Sequence, residues 1–208
     1  MILETDYLVV GAGAMGMAFA DTIINEQPNS NITLVDQRSA PGGHWLDAYP
    51  YVRLHQPASF YGVNSEKLQT CSGDLSSKQE ILAYYSRVLH RMENTGRVRF
   101  FGMMEHTGNG EVRSIVDPNK KIKFEIKKCL VDSTYMNVQV PSTTRPNFEV
   151  SNNVNLVPPN HLFSLRASYE QYNIIGAGKT ALDAICFLVD SGVPKEKIYW
   201  FVSQDSWF

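Results

Sequence analysis

Cysteine is scarce in this 208-residue chain: Cys71, Cys129 and Cys186 stand far apart and form no CxxC or CxxxxC pair. That spacing disfavours a redox-active disulfide. Charge of one sign is also lacking, because the formal net charge is −2 and charged residues make up only 19% of the chain. Such a surface has no field to draw a polyanion, and nucleic acid is not an expected partner. The five histidines show neither the i, i+4 spacing nor the cysteine neighbours of metal sites, so no metal is expected. No apolar run approaches the ~20 residues of a membrane span. Leu8 to Ala20 is apolar enough to imitate a signal core, but Glu4 and Asp6 precede it where positive charge belongs and glycines interrupt it. A cytoplasmic setting is the expectation.

What the chain does have is 43% apolar residues, enough for one good core, or for one domain and part of another. Its most informative feature is a pair of glycine fingerprints. Gly11, Gly13 and Gly16 follow the apolar run Asp6 to Val10, while Gly176, Gly178 and Ala181 follow Tyr172 to Ile175. In such a turn the first glycine permits a tight strand-to-helix bend, the second lets a diphosphate approach the backbone, and the third lets helix and strand pack closely. Asp36 lies about 20 residues past Gly16, at the end of the predicted strand Ile32 to Val35, where a carboxylate can accept both ribose hydroxyls of an adenosine. FAD or NAD fits that end; a 2′-phosphate would be repelled.

The first unit reads as strand Asp6 to Val10, helix Ala14 to Asn25 and strand Ile32 to Val35, the start of a parallel sheet. Ser39 to Ser72 is rich in Pro, Gly and aromatics without a period, which marks a functional loop region. The aromatic side chains Trp45, Tyr49, Tyr51, Phe60 and Tyr61 in it either anchor that loop by burial or face a ligand. Ser77 and Glu80 form a capping-box pattern before a helix with Ile81, Leu82, Tyr85, Val88, Leu89 and Met92 on one face. Strands at Val98 to His106, Val112 to Val116, Lys121 to Lys127 and Cys129 to Asp132 predict an antiparallel meander. Lys120, Lys121, Lys123, Lys127 and Lys128 alternate with Ile122, Phe124 and Ile126, as on a half-buried strand with a solvated face. Val157 to Asn160 reads as an extended crossover. Tyr172 to Ile175, Thr180 to Ser191 and Lys197 to Val202 then restart the strand-helix-strand rhythm, with Cys186 expected in the core of a helix apolar on most sides.

The sequence Asp36, Gln37, then Gly42-Gly43, His44, Trp45, Tyr49, Pro50, Arg53, His55 and Gln56 resembles the acid-then-GG segment of two-dinucleotide-binding flavoproteins. It is most similar to that of class B flavin-dependent monooxygenases, including the Baeyer-Villiger enzymes. The resemblance implies an α/β fold: a Rossmann-like FAD-binding domain over 1–165, with a parallel sheet plus an antiparallel meander, followed over 166–208 by the start of a second, NAD(P)-binding unit. It implies FAD contacts at Gly11, Gly13, Ala14, Met15, Gly16, Asp36, Gln37, Gly43, His44, Trp45, His55, Gln56 and Thr134. Trp45 would shield the flavin, and Asp132 to Tyr135 would stand where the family carries its Ala-Thr-Gly strand. NADPH, with NADH as the alternative, would meet Gly176, Gly178, Lys179 and Thr180; Lys179 reads equally as a phosphate contact or a solvated lysine. Ser203 and Gln204 follow Val202, which leaves no carboxylate at the strand tip to select a free 2′-hydroxyl.

The activity so implied is oxygenation of a small organic substrate through a flavin peroxide. No side chain stands out as acid, base or nucleophile. Fewer residues follow Ala181 than the roughly 30 a βαβ unit takes, so the sequence reads as a flavoprotein cut short, with edges for a second copy or a partner to cover. A non-catalytic FAD-binding fragment and a plain NAD-dependent dehydrogenase are the competing readings.

Overall fold

The computed structural model has each of the two glycine turns following an apolar strand and leading into a helix. It describes residues 2–69, 75–135, 146, 148–165 and 168–203. Cys71, Arg166 and Gln204, each part of an expectation above, lie outside them. The chain divides into two units, one comprising Met1–Leu46 with Gln56–Val138 and the other Asp47–His55 with Gln139–Phe208.

In the first unit β1 (Ile2–Val10), α1 (Ala14–Glu26) and β2 (Ile32–Val35) form the expected parallel start. The short hairpin of β3 (Gly62–Val63) and β4 (Glu66–Lys67) and the helix α2 (Lys78–Glu93) follow. Then come β5 (Val98–Phe101), β6 (Met104–Gly108), β7 (Glu111–Ser114) and β8 (Lys121–Asp132). All but the hairpin join one sheet in the order β5-β2-β1-β8-β7-β6, with β5, β2, β1 and β8 parallel and β7 and β6 antiparallel.

Two strand expectations are corrected. Val98 to His106 is not one strand: Gly102 and Met103 break it, and its halves lie at opposite edges of the sheet. Met103 takes a φ of 56° there, and its N–H donates to the Arg38 carbonyl. Conversely Lys121 to Asp132 is a single strand, because a bulge that sets Lys127 and Lys128 against Asp6 absorbs the break in alternation.

The pleat of β1 and β2 sorts their side chains to two faces. Leu8 and Val35 pack with Met104, Val112, Ile122 and Phe124 beneath the meander. Ile122 and Phe124 are buried while Lys121 and Lys123 are exposed, which is the expected solvated lysine face. α1 buries Gly16, Met17, Ala20 and Ile24, and α2 buries Ile81, Tyr84, Tyr85, Val88, Leu89 and Met92. Each large aliphatic side chain among them contributes roughly 1.5–3 kcal/mol on burial. The Ser77 and Glu80 capping box is present in full.

Two buried polar groups fix the hairpin. The Tyr84 hydroxyl donates to the Glu66 carbonyl at 2.6 Å and accepts the Val63 N–H at 2.7 Å. Asp21, fully buried, accepts from Ser65 N–H and from the Arg91 guanidinium at 3.0 Å. Both partners are required, since a buried carboxylate without them would cost several kcal/mol.

The second unit holds α3 (Pro159–Leu162), β9 (Tyr172–Ile175), α4 (Lys179–Asp190) and β10 (Ile198–Phe201). β9 and β10 pair in parallel. Pro159 at the first position lets a short helix form where an extended crossover was expected, since a proline there loses no helical hydrogen bond. α4 buries Ala181, Ala184 and Leu188 on one face only, so Cys186 is exposed and not in the core. Tyr199, Trp200 and Phe201 of β10 are also exposed. Among the described residues no helix is long and apolar enough to cross a membrane, and no cluster of metal-ligating side chains occurs.

Candidate functional site

The sheet order places β2 on one side of β1 and β8 on the other, so chain direction across the sheet reverses at β1. Ligands of open α/β sheets sit outside the carboxyl ends of the strands at such a point. Here those ends carry Gly11, Asp36 and the pair Ser133 and Thr134.

Gly11 has a φ of 100°, a backbone conformation that glycine adopts freely. A methyl group on it would stand 2.7 Å from Ser133 Oγ, and one on Gly16 would stand 1.9 Å from the Gly11 carbonyl oxygen. The Ser133 hydroxyl lies within hydrogen-bond distance of two carbonyls, Val10 at 2.7 Å and Gly11 at 2.9 Å. It therefore staples the end of β8 to the turn. No role was evident for this serine in the sequence; its N–H also donates to the Val10 carbonyl, at 2.9 Å.

The paired glycines lie on the same turn. Gly42 donates its N–H to the Ala12 carbonyl at 2.9 Å, and a methyl group on Gly43 would reach Gly13 Cα at 2.9 Å. Asp36 is buried; one carboxylate oxygen accepts the Ala12 N–H at 2.7 Å and the other the Arg38 N–H at 2.8 Å. The acid thus holds the glycine turn and its own loop together, and each oxygen keeps acceptor capacity for a further donor. Gln37 beside it is exposed.

α1 opens on this turn with Gly13 as its cap residue. No side chain caps it and no acidic residue stands in its first turn. Ala14 is half-buried and Met15 is 66% exposed. The contrast with α2, whose first turn is capped by its own Ser77 and Glu80, is informative: the amides of α1 are left for an acceptor outside the helix.

Trp45 is buried, donates its indole N–H to the Tyr61 hydroxyl at 2.7 Å and stacks on His44 with ring centroids 5.5 Å apart. Tyr61 continues edge-on to Tyr85, and burial raises its phenol above the ordinary value, so it stays a neutral partner. Gln56 is half-buried in the first unit. His55 is exposed and clusters with the second unit, so the structure groups it apart from Gln56. Thr134 is exposed; its hydroxyl and its N–H both donate to Asp132 at 2.6 and 2.8 Å, which holds that carboxyl below its ordinary range.

In the second unit Gly176 has a φ of 125°, and α4 starts at Lys179 from the cap residue Gly178, again without a side-chain cap or a first-turn acid. Nothing lies within 4 Å of where a methyl group on Gly176 or Gly178 would stand. The Lys179 ammonium pairs with Asp183 and reaches the Arg53 carbonyl. Tyr49 donates to the same Asp183 oxygen at 2.6 Å and hydrogen bonds to Thr180. Burial, then the Asp183 carboxylate, raises the Tyr49 phenol well above its ordinary value. Asp183 was missed in the sequence, though its i, i+4 spacing to Lys179 was there to be read.

A family model described as an NAD(P)-binding Rossmann-like domain matches residues 9–60, the stretch holding the first glycine turn, Asp36 and the paired glycines. An uncharacterized protein of Mycobacterium tuberculosis is 40% identical over 216 residues, covering 99% of this chain and 40% of its own length. A probable FAD-binding monooxygenase, AlmA, of Acinetobacter baylyi is 29% identical over 96 residues, 46% of this chain and 19% of its own. Of solved structures, a flavin monooxygenase from Stenotrophomonas maltophilia superposes with a TM-score of 0.68 at 15% identity, over 99% of this chain and 59% of that one. An oxidized steroid monooxygenase bound to NADP gives 0.59 at 19% identity, over 96% and 38%. The chain spans about two fifths of the length of that Mycobacterium tuberculosis relative.

Proposed function

We propose that this chain, which has the fold of flavin monooxygenases, is the front part of an FAD- and NAD(P)H-dependent oxidoreductase of the monooxygenase kind, acting on a small organic substrate. The observation that carries the reading is the pair of uncapped helix starts, each behind a glycine turn at the carboxyl end of a parallel strand. α1 has the sheet's reversal point beside it. Both turns fit a diphosphate: neither helix start has a side-chain cap or an acidic residue in its first turn.

FAD is assigned to Gly11, Gly13, Ala14, Met15 and Gly16 for its diphosphate, to Asp36 and Gln37 for its ribose, and to Gly43, His44, Trp45, His55, Gln56 and Thr134 toward the flavin. Asp36 keeps acceptor capacity, and its own bonds to Ala12 and Arg38 hold it in place before any ligand arrives. Gly176, Gly178, Lys179 and Thr180 are assigned to NADPH, in preference to NADH because Val202 and Ser203 offer no carboxylate to repel a 2′-phosphate. In functional terms 1–165 is the flavin side and 166–208 the beginning of the nicotinamide side. Bound together, the two cofactors would supply hydride transfer and oxygen activation. The protein's share is to hold them and to exclude water.

The exposed Tyr199, Trp200 and Phe201 favour a second reading, in which this length of chain binds FAD without turnover until a partner, a second copy or further sequence covers β10. Titration with FAD separates these readings from each other and from the NAD-only alternative. Purified protein that takes up FAD and whose flavin absorbance bleaches with NADPH is the oxidoreductase; uptake without bleaching is the binding segment. A Gly13→Val side chain would occupy the face of the turn that meets Gly43 and is expected to abolish uptake. Retained uptake in that variant, or none in the wild type, refutes the FAD assignment.

A further inference from the structure

A lysine at the first position of a helix that opens on a dinucleotide turn stands in reach of phosphate. In this chain Lys179 already has two acceptors, the Asp183 carboxylate one turn along α4 and the carbonyl of Arg53. The first partner is local to the helix, but the second belongs to segment 47–55. That segment is held to α4 and to α3 by other contacts.

Tyr49 shares the Asp183 oxygen at 2.6 Å. Tyr51 stacks on Phe187 with ring centroids 4.3 Å apart and planes 16° from parallel. The Tyr51 hydroxyl reaches the Pro159 carbonyl at 3.0 Å, and the Asn160 amide donates to the Asp47 carbonyl at 2.6 Å. Lys179 and Asp183 are 28% and 20% exposed, so the pair is screened less than a surface ion pair. Drawing the ammonium toward an anion strips Asp183 of its cation, leaves a carboxylate facing that anion, and releases the Arg53 carbonyl.

We infer that Asp183 is a specificity-determining residue of the second nucleotide turn, which withholds Lys179 from the phosphates of the dinucleotide and ties its release to the placement of segment 47–55. The inference rests on the nicotinamide-dinucleotide reading of that turn. A purely structural Asp183 and a restraining one predict opposite signs, because removing a structural support weakens binding whereas removing a competitor strengthens it.

The test uses the whole chain, with NADP⁺ affinity measured by calorimetry and amide hydrogen exchange followed over 47–55 without ligand. Asp183→Asn is expected to tighten NADP⁺ binding by roughly five-fold and to speed exchange over 47–55. Adding Lys179→Met to Asp183→Asn should take the gain away. Tyr49→Phe should speed exchange yet leave affinity within about two-fold, since the ion pair persists. Asp183→Asn that binds NADP⁺ no more tightly than a binding wild type overturns the inference while the reading of the turn stands. So does unchanged exchange over 47–55. NADP⁺ binding by none of the variants overturns both.

Discussion

A methyl group on Gly16 would stand 1.9 Å from a backbone oxygen of the first turn, whereas at the second turn one on Gly176 or Gly178 would touch nothing within 4 Å. The two turns have nearly the same sequence and the same uncapped helix start, yet the protein closes around only one. The first is bound by Ser133 from β8, by Asp36 from β2 and by the paired glycines. In the second, Gly176 is required by its φ of 125° and is hydrogen bonded to Trp200 and Phe201 of β10, but no neighbour closes on the space where its side chain would stand. A glycine fingerprint therefore combines two demands, one from the packing of the chain and one from the ligand, and here the two turns weight them differently.

The largest effect should come from the glycines themselves. Gly16→Ala must push the turn open and is expected to cost about 3 kcal/mol or more, since the nearest atom, the Gly11 carbonyl oxygen, is backbone. Gly178→Ala, at an ordinary φ of −82° in open space, should stay within about 1 kcal/mol. Denaturant titration of the two variants decides, and equal losses would break the distinction between a packed and an open turn.

Removing the staple comes next. Ser133→Ala keeps the Ser133 N–H on the Val10 carbonyl but removes the hydroxyl from the Gly11 carbonyl, and should cost about 1 kcal/mol, with a matching fall in FAD affinity if the turn must be preformed. A similar loss, about 1 kcal/mol, is expected for Ser77→Ala, because α2 caps itself. That variant should leave FAD affinity alone, and a change would mean that α2 is not independent of the turn.

The smallest effect is on pH dependence. Thr134 holds Asp132 below its ordinary value of 3.8. A carboxyl so depressed binds its proton less readily folded than unfolded. It therefore stabilises the fold above the ordinary value, and the contribution fades as the pH falls through the depressed one. Thr134→Val, which removes the hydroxyl bond, should flatten the loss of stability seen in denaturation curves below about pH 4. An unaltered acid limb would show that this exposed pair contributes nothing.

Much of this was legible in the sequence because the signals are local. The capping box of Ser77 and Glu80, the face formed by Ile81, Tyr85, Val88 and Met92, and the alternation of Ile122 and Phe124 all depend on spacing within one element. The errors arose where an element's fate depends on a distant neighbour. Val98 to His106 has a continuous strand pattern, and only pairing of its two halves with β2 and β7 divides it. Cys186 sits on a helix apolar enough for a sandwich, but α4 packs on one side. For Tyr49 and Tyr51 the sequence left loop anchoring and ligand contact open, and their bonds run to Asp183, Phe187 and Pro159.

By itself the sequence determined that two strand-glycine-helix turns exist and that an acid stands at the end of the second strand, since backbone freedom and helix dipoles are properties of a few adjacent residues. Only the tertiary structure decided which turn is closed, that Ser133 closes it, and that Lys179 is already occupied. Those outcomes depend on which groups, more than a hundred residues apart in the chain, are brought within bonding distance.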